Sequence, residues 1–219
     1  MGHDHGTVKK KTVAIVAGGT LDKRFLQEIM RADMRIGVDR GAAWLLKQKA
    51  IPDVAIGDFD SVTKRELQSL KKKVKTVIEY PQSKDATDLE LAVDYAIGLK
   101  PKRVVIFGGI GTRLDHTWAG IHLLIRLSSY NIYGYIVDNF NEICIVRRVL
   151  RMKPLKNFRY ISIFPLIKNA TVTLTGFRYP VQRQTFLRGS TLGVSNEITA
   201  REATIEIHEG IALVIRSRD

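Results

Sequence analysis

The chain has 219 residues, 35 Lys and Arg against 22 Asp and Glu, and a single cysteine. That length can bury a full core in one large domain or two modest ones. Hydrophobic residues at 45% and charged residues at 26% exclude disordered and fibrous classes. No apolar run approaches the ~20 residues that span a bilayer, and no apolar N-terminal core reads as a signal peptide. Cys144, inside the apolar run Ile143–Val146, reads as buried core, excludes an internal disulfide and fits a reducing cytoplasm.

The net charge of +13 suits either nucleic acid or an anionic substrate. Lysine triplets at Lys9–Lys11 and Lys71–Lys73 read as solvated faces. No zinc-finger spacing, RNP-like aromatic run or Arg-Gly repeat accompanies them. His3 and His5, in 1–6, read as a tail separate from the fold.

In chain order, Val13–Ala17 is a strand ending in Gly18-Gly19, followed by a helical pattern with Leu21, Phe25, Ile29 and Met30 on one face. Arg35–Val38 is a second strand, ending at Asp39-Arg40-Gly41, and Ala42–Lys49 is a helix stopped before Pro52. Val54–Ile56 is a third strand, ending in Gly57-Asp58-Phe59-Asp60-Ser61, and Thr63 with Glu66 forms a capping box. Lys75–Tyr80 is a fourth strand. Thr87 with Glu90 opens a helix with Leu91, Tyr95 and Ile97 inward. Arg103–Phe107 leads into Gly108-Gly109-Ile110-Gly111 and a long helix through Ile121, Leu124 and Ile125. Ile132–Val137 ends at Asp138-Asn139. Strand–loop–helix repetition predicts a parallel sheet wrapped by helices, a three-layer α/β domain over 10–150. Ligands in such folds bind beyond the carboxyl ends of the strands, where Asp39, Asp58, Asp60, the glycines and Asp138 should gather.

Beyond Leu150 only strands are expected: Tyr160–Phe164, Ala170–Thr175, Gln184–Leu187, Ala203–His208 and Ile211–Arg216. Glu209-Gly210 reads as a hairpin turn. These predict a small antiparallel β-sandwich domain over 151–219. Trp44, Trp118 and the aromatics of the tail read as core.

Three clusters carry chemistry. Asp58 and Asp60, one residue apart in an extended segment, should point to one side. Converging carboxylates near a phosphate site suit Mg²⁺, which prefers hard oxygens and keeps several waters. In Lys84-Asp85-Ala86-Thr87-Asp88, capping explains Thr87 and Asp88 but not Lys84 and Asp85, so a second source of metal-binding carboxylate is expected. The glycine-rich turn 108–111 offers backbone N–H groups to phosphate, and Arg113 offers a bidentate partner. It is neither a P-loop nor a dinucleotide fingerprint. His116 reads as structural. The loop Gly189–Glu197 is polar and rich in hydrogen-bonding groups.

Taken together and in order, Val38-Asp39-Arg40-Gly41-Ala42, the Asp58 and Asp88 clusters, Gly111-Thr112-Arg113-Leu114-Asp115-His116 and Ser195-Asn196-Glu197 resemble the thiamin pyrophosphokinase family, over nearly all of 13–216. The resemblance implies pyrophosphoryl transfer from ATP to thiamin with Mg²⁺. It also implies a homodimer whose active sites lie between the α/β domain of one subunit and the β domain of the other. It assigns Asp58, Asp60 and Asp88 to Mg²⁺ and pyrophosphate, and Asp39 and Asp85 to further acidic positions. Gly109, Arg113 and Asp115 fall on the nucleotide side, Ser195 and Asn196 on thiamin. Two departures stand out: Thr112 replaces a more usual glycine, and 197–199 lack the aromatic that animal members place after this Ser-Asn pair to stack on thiamin. Rival readings are a pyrophosphokinase for another heterocyclic alcohol such as a hydroxymethylpterin, a basic nucleic-acid-binding module, and a nucleotide-binding regulator without catalysis.

Overall fold

The structure is a computed structural model that describes residues 11–219; the reading of His3 and His5 lies outside them. Short β-branched runs form the centre. β1 (Thr12–Val16) sends Val13 and Ile15 to one face and Ala14 and Val16 to the other, all four buried. Such two-sided burial is what a parallel strand requires. β2 (Met34–Val38), β3 (Val54–Gly57) and β4 (Thr76–Glu79) extend the sheet on one side of β1, and β5 (Arg103–Phe107) and β6 (Tyr133–Val137) on the other, all parallel. β1 is therefore where strand order reverses, and the loops after β1 and β5 border the crevice there.

α4 (Asp88–Gly98) and α5 (Leu114–Ser129) cover one face with Ala92, Val93, Ala96, Ile121, Leu124 and Leu127. α1 (Leu26–Arg31) covers the other through Ile29. α2 (Arg40–Lys47) and α3 (Lys64–Lys73) enclose a small core of Ala42, Ala55, Phe59, Leu70 and Val74. The expected capping box on α3 is complete: Thr63 Oγ1 accepts from Glu66 N–H at 3.3 Å and Glu66 Oε2 from Thr63 N–H at 2.8 Å. On α4 only half of it forms. Thr87 Oγ1 accepts from Glu90 N–H at 3.2 Å, but the Glu90 carboxylate pairs with Arg126 of α5 at 2.8 Å.

The sheet does not stop at β6. β7 (Asn141–Val146), β14 (Ala212–Ser217), β9 (Tyr160–Pro165) and β12 (Asn196–Glu197) continue it antiparallel, giving ten strands in the order β12-β9-β14-β7-β6-β5-β1-β2-β3-β4. β8 (Val149–Met152), β10 (Ala170–Thr175), β11 (Val181–Phe186) and β13 (Ala203–Glu209) form a second, four-stranded antiparallel sheet. Its Val172, Leu174, Ile205 and Ile207 pack against Ile161, Ile163, Val214 and the buried Cys144 of the first. The expected C-terminal sandwich is present, and one of its two layers is the far half of the long sheet.

Several local expectations fail for physical reasons. Glu209-Gly210 joins β13 to β14, which lie in different sheets, so it is a corner rather than a hairpin. Met30 is 47% exposed, because the segment before α1 is a 3₁₀ turn (Lys23–Phe25) that rotates the face. The fully buried side of α4 is Ala92, Val93 and Ala96, with Leu91, Tyr95 and Ile97 flanking it. Trp118 is 53% exposed and Trp44 half-buried, and Tyr179 of the tail is 61% exposed. Trp118 and Tyr179 are not core, whereas Trp44 packs against the edge of the main core as expected. Gly210 has φ +82°, and a Cβ there would lie 2.5 Å from Asn169 O. Gly210→Ala should therefore lower stability by about 1–3 kcal/mol, read as a fall in the urea midpoint at unchanged slope.

Candidate active site

Three strand-to-loop junctions meet at the carboxyl rim of the parallel sheet. Asp39 follows β2, Asp58 follows β3, and Asp88 opens α4; one carboxylate oxygen of each lies within 4.8 Å of the others. The backbone is held in unusual conformations to achieve this. Asp39 has φ 45° and Phe59 φ 56°, sparsely populated values for residues with side chains. Burial of the Phe59 ring, 3% exposed, fixes the turn, and Phe59 N–H donates to Asp39 Oδ1 at 3.1 Å. Gly57 is required here: a Cβ on it would lie 1.9 Å from Asp39 Oδ1.

The reversed backbone at Phe59 also explains the fate of Asp60. Side-chain alternation applies to extended chain only. Here Asp60 turns outward to solvent, and its N–H donates to Asp58 Oδ1 at 3.1 Å. The structure therefore brings Asp39, rather than Asp60, together with Asp58 and Asp88. Asp85 is exposed beside the cluster. Lys84, in the loop four residues before Asp88, sits within it: its Nζ is 2.8 Å from Asp58 Oδ2, 3.0 Å from Asp88 Oδ1 and 3.2 Å from Pro81 O. Sequence reasoning did not give Lys84 this place, although the i, i+4 spacing to Asp88 was its signal.

Electrostatics follow the geometry. Burial, then the negative charges of Asp88 and Asp58, push the Asp39 carboxyl up to about 7. The hydrogen bond from Lys84 holds Asp58 below the usual carboxylate range. Burial works against the Lys84 ammonium, but its bonds to Asp58 and Asp88 outweigh that and raise it. The donor set is all oxygen, and Asp88 Oδ1 is buried and lacks an aligned hydrogen-bond donor. An octahedral Mg²⁺ site spans about 4.2 Å between opposite oxygens, so the spacing and hardness of this cluster fit that ion.

The other sequence-derived residues divide. The β1 and β5 loops are zipped together: Gly19 N–H donates to Gly108 O at 2.9 Å and Thr20 N–H to Ile110 O at 2.8 Å. Gly109 is buried beneath this turn, where a Cβ would press on Ile106 and Ile136. Arg113 and Asp115 form an exposed pair at 2.5 Å, which holds the Asp115 carboxyl at about 2. Asp138 does not reach the cluster: its Oδ1 accepts from Phe140 and Asn141 N–H in the turn into β7.

Ser195 and Asn196 lie elsewhere altogether. β12 is seven strands from β2 and eight from β3, on the order of 35 Å at the usual strand spacing. Asn196 is buried, and its side chain is already engaged: Oδ1 accepts from Tyr179 N–H at 3.0 Å and Nδ2 donates to Tyr179 O at 2.9 Å. It thus fixes the exposed Tyr179 beside the exposed Ser195. Tyr179 is the aromatic neighbour that a search of 197–199 could not find, because a seventeen-residue separation hides it.

The family model "Thiamin pyrophosphokinase, catalytic domain" matches residues 25–136, which hold the whole acidic cluster. A second, "Thiamin pyrophosphokinase, vitamin B1 binding domain", matches 148–212, which hold Tyr179, Ser195 and Asn196. The chain belongs to the thiamin pyrophosphokinase family. A thiamine pyrophosphokinase of Bacillus subtilis is 37% identical over 215 residues, 95% of this chain and all of its own. Among solved structures, thiamine pyrophosphokinase from Bacillus subtilis superposes with a TM-score of 0.89 at 36% identity, covering 95% of this chain and 100% of its own. Thiamin pyrophosphokinase from Geobacillus thermodenitrificans gives 0.85 at 32% identity, covering 95% and 98%. These matches cover 95% of the chain, so the shared architecture extends over both halves of the long sheet.

Two outcomes follow for the acidic cluster. Because the Asp39 carboxyl is raised in the folded protein, it contributes stability below about pH 4 that is lost as pH climbs through about 7. Without divalent ions, Asp39→Asn should gain melting temperature over the wild type between pH 5 and pH 8, and added Mg²⁺ should shrink that gain. Gly57→Ala should weaken Mn²⁺ binding, followed by electron paramagnetic resonance, at least tenfold, since its methyl displaces the Asp39 carboxylate.

Proposed function

We infer that this chain transfers the pyrophosphoryl group of ATP to the hydroxyethyl group of thiamin, giving thiamin diphosphate and AMP. The carrying observation is the convergence of Asp39, Asp58 and Asp88 at the strand-end rim, in a chain matched over 95% of its length by a thiamine pyrophosphokinase of Bacillus subtilis. The reading assigns 10–150 to catalysis and nucleotide binding, and 151–219 to thiamin. The enzyme is read as cytoplasmic, in keeping with its free, buried cysteine. Among the described residues no helix is long and apolar enough to cross a membrane.

Asp39, Asp58 and Asp88 are the residues that would hold Mg²⁺, with Asp60 beside them on the same loop. The ion supplies positive charge to phosphate oxygens that these carboxylates would otherwise repel. The protein's own contribution is positioning. The zipped glycine turn carrying Gly109, with Arg113 and Asp115 at its helical end, borders the phosphates of ATP. The thiamin hydroxyl oxygen bonds to the β-phosphorus, the bond from that phosphorus to the α-bridging oxygen breaks, and AMP leaves with the electron pair. The exposed carboxylates of Asp60 and Asp85 stand nearby as acceptors for the hydroxyl proton.

Thiamin is read as lying against Tyr179 and Ser195, with Asn196 fixing the aromatic in place. The ~35 Å between this ribbon and the acidic cluster of the same chain supports an active site shared between two copies. The dimer is thus the arrangement in which one chain's ribbon faces the other's carboxylates.

Asp58→Asn and Asp88→Asn should each abolish thiamin diphosphate formation, measured by mass spectrometry, while leaving the melting curve cooperative. Near-normal turnover in either variant would sink the metal assignment. Mixing inactive Asp58→Asn with inactive Tyr179→Ala should restore about a quarter of wild-type activity, because half the dimers are mixed and each holds one intact site. Absence of recovery after confirmed subunit exchange would argue for sites built within one chain.

A further inference from the structure

The acidic cluster occupies the carboxyl end of the parallel sheet, and the amino end is basic. Lys11 directly precedes β1, Lys75 precedes β4 and Lys102 precedes β5. Lys49, Lys73 and Lys100 lie at or just beyond the ends of α2, α3 and α4. Backbone bonds tie neighbouring strand starts together: Lys102 N–H donates to Lys11 O at 3.0 Å, Tyr133 N–H to Lys102 O at 3.0 Å and Asp33 N–H to Thr12 O at 3.0 Å. From β5 to β4 the order is β5-β1-β2-β3-β4, so this end runs about 19 Å at the usual strand spacing. All six lysines are exposed, and among the described residues none of them forms an ion pair. The acids beside them are engaged by the fold itself: Asp33 Oδ2 accepts from Thr12 N–H at 2.9 Å, and Asp53 pairs with Arg35 at 2.9 Å.

Helix geometry explains half of this pattern. Cations near the carboxyl end of a helix are stabilised by its macrodipole, which accounts for Lys49, Lys73 and Lys100. It gives no reason for Lys11, Lys75 and Lys102 at the strand starts. Apolar side chains stand among the charges as well. Met30, in the last turn of α1, is 47% exposed, Ile51, in the loop before β3, 50%, and Tyr130, at the end of α5, 58%. α1 and α2 cover one face of the sheet and α5 the other, so apolar groups flank the strand starts on both sides. Lysines around protruding aliphatic and tyrosine side chains match the boundary of an anionic bilayer. There ammonium groups reach headgroup phosphates, aliphatic tips enter the acyl margin, and tyrosine sits at headgroup level. A nucleic-acid backbone would use the lysines but leave Ile51 and Met30 with nothing to bury them.

We propose that the amino end of the α/β domain is a peripheral docking face for anionic membranes, with Lys75, Lys100 and Lys102 on headgroup phosphates and Ile51 in the apolar margin. The chain lies on the bilayer and does not cross it. A five-residue strand such as β1 or β5 is about 17 Å long, so the acidic cluster stays at least that far from the lipid and opens away from it. Docking therefore leaves the reaction unobstructed. It also gives the two lysine triplets, which end at Lys11 and Lys73, a common place in the fold. The inference does not depend on what the carboxyl end catalyses.

Co-sedimentation of the full-length protein with sucrose-loaded vesicles tests the face. Phosphatidylcholine vesicles with about one-third phosphatidylglycerol should bind it at ~0.05 M salt, release it progressively toward ~0.5 M, and lose it when the anionic lipid is left out. The combined variant Lys75→Gln, Lys100→Gln and Lys102→Gln should bind on the order of a hundredfold more weakly, at roughly fivefold per lysine. Its melting temperature and its rate of thiamin diphosphate formation should match the wild type. Ile51→Ser should weaken binding about threefold or more at every salt concentration. The control variant Lys153→Gln, Lys156→Gln and Lys168→Gln removes the same charge from the β half and should bind like the wild type. Equal losses in the two triple variants overturn the docking face in favour of a general positive field, and so does equal sedimentation with and without phosphatidylglycerol. Should a single-stranded RNA oligonucleotide bind more tightly than the vesicles, and the Lys75, Lys100 and Lys102 variant lose that binding, the face belongs to nucleic acid and the proposal fails.

Discussion

Mutual repulsion among Asp39, Asp58 and Asp88 is the constraint around which this rim of the molecule is organised. Three carboxylates within 4.8 Å of one another are unfavourable unless charge is removed or supplied. Two local devices answer it. Asp39 keeps its proton to near neutrality, and Lys84 places its ammonium between Asp58 and Asp88. The geometry is enforced by an apolar group: burial of Phe59 among Ala42, Ala55, Leu70 and Val74 holds the reversed turn that points Asp58 inward and Asp60 outward. With all three carboxylates ionised and Lys84 charged, the cluster carries −3 + 1 = −2, which one divalent cation neutralises.

The same sheet that builds this rim carries β12, with Asn196, at its far edge. β7, β14, β9 and β12 extend the parallel sheet antiparallel, and their inner face packs against the second sheet. Continuity of one sheet through both halves gives a stiff frame, so the Tyr179–Asn196 ribbon and the acidic cluster cannot meet by a modest hinge within one chain. Tyr179 is exposed on a ribbon anchored by the buried Asn196.

The charge of +13 takes on a more local meaning in this frame. The cavity between α4 and α5 is lined by Glu90 and Asp115 against Arg126, whereas exposed lysines gather at the amino end of the parallel sheet. A bulk count of charges describes neither. What matters for a charged partner is which side chains the fold turns toward which surface.

Much of the fold was legible in the sequence because it rests on periodicities that local chemistry sets. Alternating β-branched runs, glycine after strands and capping residues such as Thr63 and Thr87 mark the α/β half, and the strand-rich tail marks the sandwich. The motifs around Asp39, Asp58, Asp88 and Asn196 were likewise visible as clusters. Their partners were not. That Asp39 displaces Asp60 depends on a positive φ at Phe59, which depends on a core assembled from α2, α3 and β3. That Asn196 grips Tyr179 depends on chain seventeen residues away folding back, and that Glu209-Gly210 turns a corner depends on two strands choosing different sheets. Sequence settles what a residue can do within reach of its own turn of helix or strand. Contacts between distant segments are settled by which apolar faces bury one another, and the site is made of those contacts.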